Sequence, residues 1–160
     1  MQTRHTLLAT ALAAVLALGA GAHALAADAH PHPDGEESSP LALNHGKKWT
    51  TDAPLRKSMN EIRKALAAKQ DGIHKGTLTP ADYQALAMTV DAQAAIIIAE
   101  CKLEPAADAN LHLIMAELFA GAQAMQGKSA SNPRAGAVQT VRAVNHYGQY
   151  FDHPGWKALR

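Results

Sequence analysis

Sulfur and imidazole are the side-chain chemistries that stand out in this chain, which holds nine His, five Met and one Cys in 160 residues. Met59, Cys101, His112 and His153 offer a thioether, a thiol and two imidazoles. That donor set suits copper, above all Cu(I), better than the oxygen-seeking ions Ca2+ or Mg2+. Each residue also has a plainer use: Met fills irregular gaps in cores, a free Cys behaves as a small hydrophobe, and a histidine at a helix rim is capped as readily as it ligates. His30 and His32 make a second, weaker metal site. Were the mature chain to begin at Asp28, a free amine, two amides and His30 would form a square-planar site for Cu(II) or Ni(II). A cut before Ala27 moves His30 to fourth place and leaves only loose binding.

Such a site needs elements that bring distant residues together. Asp52 with Pro54, Thr79-Pro80-Ala81-Asp82, Glu104-Pro105 and Asn132-Pro133 are four helix starts, with a capping side chain or a Pro in the first turn of each. Asp71-Gly72 with Lys75-Gly76, Glu104-Pro105, Gly127 and His153-Pro154-Gly155 are the stops. Between them, apolar residues recur at helical spacing. Leu55, Met59, Ile62 and Leu66 form one stripe; Tyr83, Leu86, Ala87, Val90, Ala94, Ile97, Ile98 and Cys101 form the next. Leu111, Ile114, Met115, Leu118, Ala122 and Met125 follow, then Ala137, Val141, Val144, Gly148 and Phe151. No run alternates with a period of two, so strands are not expected.

The fold expected is therefore all-α, an antiparallel up-down-up-down four-helix bundle joined by short loops. In that order Met59, Cys101, His112, His146 and His153 gather at one end, flanked by Trp49 and Trp156. Met59 and Cys101 sit mid-stripe and point inward. His112 lies about 100° from Leu111, at the rim of its stripe; His146 is nearly opposite Val141 and Val144 and faces solvent. Ser58 falls on the outer side of the first helix.

The N-terminus reads as a targeting segment, residues 1–26. Arg4 precedes the apolar run Leu7 to Leu18, and Ala24-Leu25-Ala26 matches a small-x-small cleavage site. The run is shorter than the roughly 20 residues a membrane span takes. Residues 27–50 read as a flexible, disordered leader with His and Pro, residues 51–152 as the bundle, and 153–160 as a turn and tail. Only Arg4 of the fifteen Lys and Arg precedes residue 27, and all fourteen Asp and Glu follow it, so the mature chain is neutral. No basic face for nucleic acid is visible. The lone Cys101 excludes an internal disulfide in an oxidising compartment. No nucleophile elbow, phosphate-binding loop or zinc-protease helix is present, and no Glu-x-x-His repeat for a di-metal centre, so an enzyme is not expected.

Arg142-Ala143-Val144-Asn145-His146, with Met59 early in the first helix, resembles the soluble periplasmic b-type four-helix cytochrome. That resemblance implies haem b held between Met59 and His146. A c-type haem has no Cys-x-x-Cys-His to bind. Lys48-Trp49-Thr50-Thr51-Asp52-Ala53-Pro54-Leu55-Arg56, Cys101-Lys102-Leu103-Glu104-Pro105 with Leu111-His112, and Phe151-Asp152-His153-Pro154-Gly155-Trp156 are similar to small exported proteobacterial proteins of the DnrO type. This second likeness covers most of the mature chain and implies export and a helical fold. The function expected is a periplasmic binding or sensing protein that holds copper or haem at one end of the bundle. The alternative is a cofactor-free bundle that recognises a periplasmic protein partner; neither nucleic acid nor membrane is an expected partner of the mature form.

Overall fold

The computed structural model describes residues 40–160; the targeting segment, His30 and His32 lie outside them. Four helices follow one another: α1 (Ala53–Lys75), α2 (Pro80–Glu100), α3 (Pro105–Met125) and α4 (Pro133–Tyr150). The described residues contain no strands, only isolated bridges between Asn44 and Lys47 and between Trp49 and Phe151. None of these helices is long and apolar enough to cross a membrane.

The starts follow the local chemistry of the chain. Asp52 Oδ1 accepts from Leu55 N at 2.9 Å, and Asn132 Oδ1 from Ala135 N at 2.8 Å. Thr79 and Asp82 cap each other reciprocally, and the Lys69 ammonium with the Thr79 hydroxyl holds the Asp82 carboxyl well below its ordinary range. Glu104 caps α3 without a side-chain hydrogen bond, leaving Pro105 as the local signal. Gly76 ends α1 in the left-handed region at φ 67°, whereas Gly72, read as part of the stop, lies inside that helix.

Leu55, Met59, Ile62 and Leu66 of α1, Val90 and Ala94 of α2, Ile114 and Leu118 of α3, and Val144 and Tyr147 of α4 are all buried. Two positions depart from the periodic expectation. Ile98, assigned to the apolar stripe of α2, is 70% exposed, because it stands about 100° round the helix from buried Ile97 and lies along the groove beside α3 instead of in the core. Ser58, assigned to the outer side of α1, is 0% exposed, and its hydroxyl has no partner among the described residues. The buried face of α1 is wider than its narrow stripe of large residues and takes in the small side chain beside Met59.

Small residues set the spacing of α3 and α4. A Cβ added at Gly136 would lie 2.6 Å from Gly121 O, and one added at Gly121 would lie 2.8 Å from Gly136 O. Neither backbone oxygen can retreat, so only glycine fits this crossing.

The flanking segments are tied to the helices. Trp49 N donates to Tyr150 O and Asp152 N to Trp49 O, both at 2.8 Å. Trp49 Nε1 donates to Ala42 O at 2.7 Å, and Ala42 N to Asn110 Oδ1 at 2.9 Å. Leu41 and Trp49 pack on the core, so residues 41–50 differ from the free leader expected of them. At the other terminus Leu159 N donates to Asn145 Oδ1 at 2.8 Å, while Asn145 Nδ2 donates to Leu159 O at 3.0 Å. Leu159 is consequently buried, in a stretch read only as a turn and tail.

Candidate functional site

One carboxylate organises the end where α1 begins and α2 stops. While Asp52 Oδ1 caps α1, its Oδ2 accepts from Lys102 N at 2.7 Å, pinning the short link between α2 and α3. Cys101, the residue before, ends α2 in extended conformation and is half-buried. Burial first, and then the Asp52, Asp108 and Glu100 carboxylates, push its thiol up to about 12. Around neutral pH the side chain is an uncharged thiol, and a poor nucleophile.

Beside Cys101 a groove of about 430 Å³ opens between α2 and α3. Its apolar lining comes from Ile97, Ile98, Leu111, Met115 and Phe119, and its polar lining from Cys101, Asp108 and His112. Asp108, His112, Met115 and Phe119 stand at i, i+4, i+7 and i+11, one face of α3. His112 Nδ1 hydrogen-bonds Asp108 O at 2.9 Å and lies 3.5 Å from Asp108 Oδ2. The last turn of α2 contains no basic residue to offset its carbonyl ends.

The remaining sulfur and imidazole groups occupy other environments. Met59 is 0% exposed inside the core. His153 folds over the end of α4, as its place beyond the helix suggests, but is engaged on both nitrogens. Tyr147 Oη lies 2.9 Å from Nδ1 and Asn60 Nδ2 lies 3.2 Å from Nε2. In the neutral ring Nε2 accepts from Asn60 and Nδ1–H donates to Tyr147. Burial and then the Arg56 charge lower the pKa of His153, with Asp152 acting in the opposite sense. Burial above all raises that of Tyr147. Trp156 closes this layer edge-on to Tyr147, centroids 4.9 Å apart, and Phe151 stacks on Tyr147 at 5.4 Å.

His146 is half-buried, with Nδ1 2.9 Å from Glu117 Oε2 on α3. Met59, its expected partner across a haem, has no exposed surface to offer a porphyrin, so the two side chains do not fit that group as they stand. Of the four expected copper donors, the groove takes Cys101 and His112 and leaves out Met59 and His153. Among the described residues no three His, Cys, Asp or Glu side chains are grouped so as to hold a metal ion.

Asp108, Phe119, Asn60 and Tyr147 belong to these two neighbourhoods and were not singled out from the sequence. The i, i+4, i+7, i+11 run from Asp108 to Phe119 is the signal that marks the groove face of α3. Compared with family models, curated proteins and solved structures, the chain matches none.

Proposed function

We propose that this chain is a small exported binding protein, not an enzyme, whose ligand lies in the groove between α2 and α3. The observation that carries the reading is the groove itself: about 430 Å³, walled by Ile98, Leu111, Met115 and Phe119, with Cys101, Asp108 and His112 at one end. An apolar cleft with a few convergent polar groups is the usual form of a small-molecule site. Ile98, a large apolar side chain left 70% exposed, gains from being covered. The reading takes α1 to α4 as an up-down-up-down bundle, an order supported by the hydrogen bonds joining the start of α1 to the ends of α2 and α4. It takes the periplasm as the working compartment, supported by the apolar N-terminal run and its cleavage pattern.

The neutral fluorophore N-phenyl-1-naphthylamine tests it. The wild type is expected to raise the dye's emission at saturating stoichiometry, and Ile98→Asn to abolish the rise while keeping the helical circular dichroism. Emission unchanged by the wild type overturns the assignment.

A second reading is favoured by the shared position of Cys101 and His112: Cu(I), held by the thiolate and the imidazole. Binding would displace the thiol proton. Competition with a chromophoric Cu(I) chelator tests it, with Cys101→Ser expected to lose all uptake.

A further inference from the structure

The groove is not uniform along its length. Asp108 and Phe119 are eleven residues apart on one face of α3, so about 16 Å of helix separates its carboxylate end from its aromatic end. The carboxylate end is also where α2 terminates, with Glu100 in its last turn and no basic residue there. Lys102, the nearest lysine in sequence, does not line the groove.

We infer that the groove's ligand is an amphiphilic cation, its apolar body lying against Ile98 and Phe119 and its positive head beside Asp108 and Cys101. This rests on the binding reading above and gives it a chemical class. Charge complementarity selects the sign. An anionic head would meet Asp108, the one carboxylate lining the groove, whereas a cation meets attraction from it and from the carbonyl end of α2 at Cys101. Burial first, and then the Asp52, Asp108 and Glu100 carboxylates, raise the Cys101 thiol, the carboxylate part of that shift having the sign that favours a cation nearby. A head that neither donates nor accepts strongly, such as a quaternary ammonium, fits beside a protonated thiol and a rim carboxylate without needing a matched hydrogen-bond partner. The apolar body supplies most of the affinity and the head the discrimination.

Three octyl probes below their micellar concentrations separate the possibilities: octyltrimethylammonium, octyl sulfate and neutral octyl glucoside, titrated by calorimetry into the purified protein. The cation is expected to bind more tightly than the anion by about tenfold at low salt. Asp108→Asn is expected to narrow that ratio to about twofold, and Ile98→Asn to weaken all three probes together. Raising the salt should compress the ratio as well. Equal binding of the three probes overturns the cationic assignment and leaves the groove as a site. Absence of binding by any probe overturns the site itself. Unchanged discrimination in Asp108→Asn, with its helicity intact, also sinks the inference, because the charge would then be read elsewhere.

Discussion

Helix α3 has two sides, and they were built differently. Toward α4 it meets Gly136 through Gly121 so closely that a single added carbon has no room. Toward α2 it leaves a cleft of about 430 Å³ with Ile98 standing at its rim. Both sides are rich in small and apolar residues, so composition does not distinguish them. The difference lies in where the glycines fall: Gly121 and Gly136 let α3 and α4 meet, whereas no glycine lines the groove beside α2. Close packing spends apolar surface on stability; the open side keeps some of it for contact with something else.

Substitutions on the closed side should be the most damaging. Gly136→Val places a branched side chain against Gly121 O and Ala124, and about 3 kcal/mol of stability should be lost, read as an earlier urea midpoint. A variant as stable as the wild type would show that the two helices can part, and the contrast would dissolve. Asp52→Ala, at the head of the open side, removes the acceptor of both Leu55 N and Lys102 N and should cost about 1–2 kcal/mol. It should also speed alkylation of Cys101 at pH 8, since a carboxylate that keeps the thiol protonated is gone.

A smaller effect follows from His153. Its folded-state pKa lies below the ordinary 6.5, so the unfolded chain binds more protons as the pH falls through 6.5 toward that lowered value. Stability present above 6.5 is lost across this window. Chemical denaturation at pH 7.5 and 5 should show it, and His153→Gln should flatten that part of the profile; an unchanged slope would mean the ring over Tyr147 is solvated. Smallest of all, Ser58→Ala removes a buried hydroxyl that has no partner among the described residues and should change stability by less than about 0.5 kcal/mol, or raise it. A clear loss would reveal a hydrogen bond to that oxygen.

The helices were legible because their punctuation is local. Thr79-Pro80 with Asp82 and Asn132-Pro133 act within three residues, and the structure shows their caps as read. The joint placement of Cys101 and His112 was legible too, since it depends only on two helices being joined by a short link. Side-chain direction near helix ends was not. Ile98 belongs to the apolar period but is turned about 100° from buried Ile97, onto the groove, and Ser58 is enclosed because its neighbours are large. Periodicity likewise carries no information about segments outside the helices, so Trp49 and Leu159 were read as lying outside the bundle. Their burial depends on hydrogen bonds to Tyr150 and Asn145, about 100 and 14 residues away in the chain.

The pairing of Trp49 with Tyr150 and Asp152 makes the helical body a closed circuit. Residues at its two extremities clasp each other through main-chain groups, so neither extremity can peel away while the other holds. Release at one must undo both, and loosening should spread through the molecule as one event instead of creeping inward from a frayed tip.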